Sequence, residues 1–284
     1  MPLSRNRLRA SAIRQPRGGL VRPVFHRGRA APQVSGLASV IGRPPEWNGG
    51  GDLAPMADYV TTRSGVRSWP AAPDARAALE EYLDALAVHS EAPGRGPLRV
   101  PPALEGDFLD FSGADLSGLD LGSAGLFGAG LEGVRLVGAN LNRATLNGAL
   151  LNGADLTSAV LFRAVAFECE ARGAVFRGCD LIKADLSRTD MREADLRETE
   201  LMAVYLARAD LRGADLRDCS FGPAERTTSL SHARLAGCRV AGASGHVHGP
   251  VDVGADAPAL LDGAELRDWF RSMDAPGVAV APSG

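Results

Sequence analysis

The chain has 284 residues, with 34 Asp and Glu against 31 Lys and Arg, and a formal net charge of −3. That near balance names no charged partner. No apolar run approaches the roughly 20 residues that a membrane-spanning helix needs.

The first 45 residues contain no acid, and nine Arg lie between Arg5 and Arg43. Pro and Gly are scattered through this stretch and no periodicity is sustained, so it buries too little apolar surface to offset its ordering entropy. Residues 1–72 are therefore read as a basic, disordered tail, with Met56 as an alternative start. A nucleic-acid-binding arm shares this composition through phosphate neutralisation, as does an organellar transit peptide. No clean apolar stretch follows the first charges, which argues against a secretory signal.

Residues 73–102 read as one capping helix and a linker. Asp74 is placed to cap the helix. Leu79, Tyr82, Leu83 and Leu86 then form a single apolar stripe, and the helix stops before Pro93. A lone helix of this length is marginal, so it must pack on something. The open start of the following region, whose unpaired backbone needs cover, is the nearest surface.

From residue 103 to 222 one five-residue pattern repeats, most plainly at Ala194-Asp-Leu-Arg-Glu, Ala209-Asp-Leu-Arg-Gly and Ala214-Asp-Leu-Arg-Asp. Every fifth position from Phe111 to Phe221 gives 23 sites: seventeen Leu, three Phe, Met191, and two small residues, Ala166 and Ala171. The site two residues earlier is Ala in fourteen cases. Neither a helix nor a strand keeps every fifth residue on one side. A path that turns a corner once per repeat does, with the large and the small residue both pointing inward. Gly recurs two places after the Leu, where a turn uses its freedom.

These residues resemble the pentapeptide-repeat family, whose pattern is A-[DN]-L-x-x. The resemblance implies a mainly β fold: a right-handed quadrilateral β-solenoid of about six coils, here with short flanking α-helices. Four repeats would make a coil, so residues twenty apart would stack in columns. Two outward columns then read Ser112, Glu132, Asn152, Arg172, Arg192, Arg212 and Ser117, Val137, Thr157, Arg177, Arg197, Arg217. Asp190, Asp210, Asp195 and Asp215 flank the Arg residues, which predicts a surface of interleaved ion pairs. Phe162, Ile182 and Met202 form an apolar column with Val160 beside it, and Tyr205 lies on the adjacent face with Val165 and Phe167. An outward apolar patch of this kind marks a contact, so Val160, Phe162, Ile182, Met202 and Tyr205 are the candidate partner-binding residues. Around Ala166 and Ala171 either Phe167 turns inward through a bulge or the coil narrows.

Cys169, Cys179, Cys219 and Cys238 all occupy the small inward position. None has metal-site spacing, so each reads as a small apolar residue, suited to a reducing cytoplasm. After Phe221 the period slips, and residues 223–245 are read as an irregular last coil or loop. Residues 246–284 read as a C-terminal tail with a helix over about 258–273, which caps the last coil or mediates a homodimer.

No catalytic, cofactor-binding or metal-binding constellation is visible, and a non-catalytic interaction scaffold is expected, with a protein partner. The resemblance implies an alternative, since some family members imitate duplex DNA and bind DNA gyrase or related topoisomerases, inhibiting them or protecting them from toxins. The repeat region carries nineteen Asp and Glu against twelve Lys and Arg. Asp110, Asp115, Asp120, Glu132 and Asp155 are the candidate acidic surface for that role.

Overall fold

The computed structural model describes residues 59–91 and 101–281. Its organising feature is parallel pairing between residues twenty apart. Four such ladders run through the repeat region. The first begins Glu105–Gly125–Thr145, the second Asp110–Gly130–Leu150, the third Asp115–Arg135–Asp155 and the fourth Asp120–Asn140–Val160. The chain therefore returns to its starting direction every four repeats and stacks on itself.

The expected inward positions fill the interior. The Leu, Phe and Met sites are buried, as are the Ala, Cys and Thr sites two residues before them. Each buried Leu contributes about 1.5–3 kcal/mol relative to exposure. Ala166 and Ala171 keep their inward places, while Phe167 stays on the outer surface, so no bulge forms. The Phe167 amide donates to Asn147 Oδ1 at 3.0 Å, which holds that turn in register.

Where Asp or Asn precedes the inward residue, it has a local task. Its Oδ1 accepts the backbone N–H two residues on, as in Asp110 to Ser112 (2.9 Å), Asn140 to Asn142 (3.0 Å) and Asp185 to Ser187 (3.0 Å). This Asx turn is what fixes Asp or Asn at that phase of the repeat. The next residue takes a left-handed conformation, met by Gly113 (φ 68°) in one coil and by Glu193 (φ 62°) in another.

The start of the stack is covered from the N-terminal side. The expected tail runs to residue 72, but residues 59–72 are built into the fold. The Val60 amide donates to the Gly118 carbonyl at 2.7 Å, the Asp120 amide to the Val60 carbonyl and the Asp115 amide to the Ser68 carbonyl at 2.9 Å. Those first-coil groups have no preceding coil to pair with, and Val60 and Ser68 replace it. Residues 1–58, with the Arg-rich stretch, lie outside the described residues. Helix α1, Pro73–Glu91, then buries Ala75, Leu79, Tyr82, Leu83 and Leu86. Pro73 opens the helix, so Asp74 sits in the first turn instead of capping it. The Tyr82 hydroxyl donates to the Asp120 carbonyl, tying helix to coil.

At the other end the coil runs further than its sequence period. Tyr205 pairs with Ser229, twenty-four residues on, because a 3-10 turn at Ala224–Arg226 is inserted. Strand β1, Thr228–Ser229, pairs in parallel with β2, Ser244–His248. Strand β3, Val251–Asp252, turns back onto β4, Leu260–Leu261. The Asp252 carboxylate takes the N–H groups of Gly254 (3.0 Å) and Ala259 (2.9 Å), and this closed turn shortens the expected helix. Helix α2 covers Gly263–Ser272 rather than about 258–273, and Asp262 caps it through the Gly263 amide at 2.8 Å. The C-terminal segment is not a free tail: β5, Gly277–Val280, pairs in parallel with β2 and adds to the stack. The apolar residues of α2 face inward, with Leu266 and Phe270 buried and Trp269 and Met273 packed on the core.

Candidate interaction surface

The predicted apolar residues meet across two neighbouring ladders. Phe162, Ile182 and Met202 stack at intervals of twenty beside the fourth ladder, with Val160 in that ladder, and all four are half-buried. Tyr205 is in the first ladder and is 57% exposed. One turn separates the two groups. Arg163 Cζ lies 5.2 Å and Lys183 Nζ 6.0 Å from the Phe162 ring centroid, so two cations lean over one ring. Arg188 Cζ stands 5.5 Å from the Phe167 ring and also pairs with Glu168 at 3.1 Å.

A second aromatic pair belongs to the same first-ladder side and was missed from sequence. Phe108 and Phe127 are 72% and 43% exposed, and their rings meet edge to face at 5.1 Å. Phe108 occupies a left-handed turn position (φ 61°) and lies over Gly128, where an added Cβ would meet its ring at 2.9 Å. The available signal was Phe108, an aromatic at a turn phase held mostly by Gly and polar residues.

The five candidate acids do not share a face. Asp110 and Glu132 follow the second ladder, Asp115 and Asp155 the third, and Asp120 the fourth. Asp110, Asp115, Asp120 and Asp155 each bind the amide of their own turn. Glu132 accepts from the Ser112 hydroxyl at 2.9 Å, and Asp120 from Asn140 Nδ2 at 2.6 Å. The Ser112 side chain nearby and the bond from the Ser112 amide hold the Asp110 carboxyl below the usual carboxylate range. Burial opposes that at Asp115, where the Ser117 amide and Arg135 still bring it down. These carboxylates act as turn ties spread over three ladders.

The C-terminal half carries the expected interleaved ion pairs. Arg192, Arg197, Arg212 and Arg217 each grip the Asp two residues before them, for example Arg197 Nε to Asp195 Oδ1 at 2.8 Å and Nη2 to Oδ2 at 2.6 Å. Contacts between coils add Arg239 to Asp215 at 2.9 Å and Arg234 to Asp210 at 3.3 Å. The guanidinium bonds hold the carboxyls of Asp190, Asp195 and Asp215 well below their ordinary range. At Asp210 burial works the other way, and Arg212 and Arg234 outweigh it. Asp180 goes in the opposite direction: burial raises its carboxyl, the Ile182 amide opposes and Glu200 adds to the rise.

The four cysteines are buried free thiols. Cys169, Cys179 and Cys219 donate to the carbonyls of Leu146, Leu156 and Leu196, and Thr189 and Thr199 make the same bond to Ala166 and Phe176. Burial pushes the Cys169 and Cys238 thiols up to about 12. Among the described residues no group of His, Cys, Asp and Glu is arranged to hold a metal ion, and no helix is long and apolar enough to cross a membrane.

Residues 109–143, 139–166 and 161–198 match the family described as pentapeptide repeats, in eight copies. The matched stretch, residues 109–198, carries pentapeptide repeats. Among solved structures, the chain is similar to a trypsin-treated form of QnrB1, a plasmid-mediated fluoroquinolone resistance protein, at 19% identity and a TM-score of 0.31. That likeness covers 45% of this chain and 64% of QnrB1, so it spans less than two thirds of the relative. HetL, a pentapeptide repeat protein involved in heterocyst differentiation regulation from the cyanobacterium Nostoc sp. strain PCC 7120, is 23% identical with a TM-score of 0.29. That likeness covers 59% of this chain and 86% of HetL. A pentapeptide repeat protein from the Arabidopsis thaliana thylakoid lumen is 22% identical with a TM-score of 0.23, covering 50% and 77% of the two chains. No curated protein matches the chain by sequence.

Proposed function

We propose that this is a non-catalytic binding protein, a cytoplasmic scaffold whose stacked coils form a right-handed, four-sided solenoid. Rigidity comes from the coils and specificity from the outer side chains. The observation that carries the reading is the apolar column Phe162, Ile182, Met202 beside exposed Tyr205, two neighbouring strips of apolar surface. Four buried, unpaired thiols fit a reducing compartment.

The test is capture of a native partner from source cells by the full chain, with Ile182→Asp and Met202→Asp combined in one variant. Loss of the partner with an unchanged melting curve supports the reading. Retention of the partner by the doubly changed protein overturns it. DNA mimicry toward gyrase is the competing proposal, and it has less behind it. Its five acids are distributed over three ladders, four tied to their own turns, and the Arg columns break any continuous phosphate-like field. Purified gyrase whose supercoiling responds to micromolar amounts of this protein would reverse that preference.

A further inference from the structure

The turns that join the fourth ladder to the first differ from those at the other three junctions. Their left-handed position is Ser123 (φ 62°), Arg143 (59°), Arg163 (59°), Lys183 (61°) and Ala203 (58°) in five successive coils, with no glycine among them. Every other junction uses glycine repeatedly, as at Gly113, Gly118 and Gly128. A residue with a Cβ is strained in this conformation and glycine is not. The sequence therefore keeps side chains at a place where losing them would ease the backbone, and three in a row are cations.

Those cations lack the carboxylate partners of the arginines beside the second and third ladders. Arg172, Arg177, Arg192, Arg197, Arg212 and Arg217 all close ion pairs with carboxylates. Among the described residues no ion pair is formed by Arg143, Arg163 or Lys183. Arg163 and Lys183 gather instead over the Phe162 ring. Burial lowers the Lys183 ammonium pKa, and the charges of Arg163 and Arg226 lower it further. The row is flanked by apolar side chains, Ile182 and Met202 on one side and Phe167 and Tyr205 on the other.

We infer that this edge docks an acidic amphipathic helix of a partner protein, its carboxylates meeting Arg143, Arg163 and Lys183. The inference rests on the protein-binding reading above and gives that partner its chemistry. Coils rise by about 4.8 Å and an α-helix by about 5.4 Å per turn. A row of Glu one turn apart therefore keeps step with three coils. Side chains on one face of an extended strand recur only every ~6.8 Å and fall out of step.

The experiment is fluorescence anisotropy on the full chain with three labelled probes. They are a synthetic helical peptide with one Glu row between Leu rows, its Lys-for-Glu counterpart, and a single-stranded DNA oligomer. The Glu peptide binds, its affinity falls as salt is raised, and Arg163→Glu with Lys183→Glu weakens it by about tenfold or more. The gentler pair Arg163→Gln and Lys183→Gln serves if charge reversal impairs folding, with melting curves recorded for each. Equal binding by the substituted protein, equal binding of the Lys peptide, or tighter binding of the DNA overturns the inference. If the native partner is lost in the Ile182→Asp, Met202→Asp variant but kept when Arg163 and Lys183 are changed, this edge is wrong and the protein-binding reading stands.

Discussion

The ring of Phe270 meets that of Phe221 edge to face, with centroids 6.4 Å apart and planes at 64°. Phe221 is the last large inward residue before the period slips, and Phe270 comes from α2, far along the chain. Trp269 adds a second edge contact to Phe270 at 4.9 Å. The helix thus continues the packed interior past the point where the repeats falter, and it covers a coil end that would otherwise face water. Replacing Phe270 by Ala removes a buried ring worth about 3–5 kcal/mol. Urea unfolding should show the midpoint falling accordingly, and hydrogen exchange should show β2 and β5 opening first. An unchanged midpoint would mean that α2 is an appendage and not a cap.

The thiols give a test of the interior itself. All four cysteines are buried, and the three in regular repeats bond to carbonyls of the preceding coil. The thiolate is the reactive form, and desolvation disfavours it. A disulfide-exchange reagent at neutral pH should label essentially no cysteine in the native protein and all four in denaturant. Rapid labelling of Cys179 or Cys219 without denaturant would show that the coil breathes along its length.

Much of this was legible because a repeat fixes phase. Leucine and alanine at constant spacing report an interior, and Arg beside Asp at intervals of twenty reports the ion-pair columns. The role of the Asp or Asn itself was hidden, since Asp110 reads as surface charge until its bond to the Ser112 amide is seen. The two ends were hidden for another reason. Val60 pairs with Leu119, and Gly277 with Ser244, so their partners are remote in sequence and nothing local announces a strand. A charge count has no geometry, and the five candidate acids turn out to be distributed over three ladders. The exposure of the apolar column was not legible either, as stacking half-covers Phe162, Ile182 and Met202 while Phe108 and Phe127 stand more open.

The Arg–Asp columns predict an acid limit to stability. Asp190, Asp195 and Asp215 have folded-state carboxyls held down by their arginines, so folding favours the ionised form. Their contribution is present above the unfolded carboxylate range, near pH 4, and is lost as pH falls through the lower folded values. The melting temperature should be flat near neutrality and drop progressively below about pH 4. Combining Asp195→Asn with Asp215→Asn should flatten that drop while lowering stability at pH 7. Each pair is partly exposed, so the loss per site should stay around 1 kcal/mol. A pH profile identical to that of the unaltered protein would show that the columns contribute nothing.

Asp180 should behave in the reverse sense. Its carboxylate shares the fourth ladder with Val160 and Glu200, and burial raises it above the ordinary range. The folded state therefore prefers the protonated acid. Stability from this group is present below the unfolded carboxylate value and is lost as pH rises through the folded one. Its side chain accepts the Ile182 amide at 3.0 Å, a bond that an amide oxygen makes equally well. Asn140, forty residues earlier in the same ladder, makes that bond to Asn142 at the same distance. Asp180→Asn should thus raise the melting temperature by a few degrees at pH 7 and leave it unchanged near pH 3. Destabilisation at pH 7 would mean that the folded protein stabilises the Asp180 carboxylate instead of penalising it.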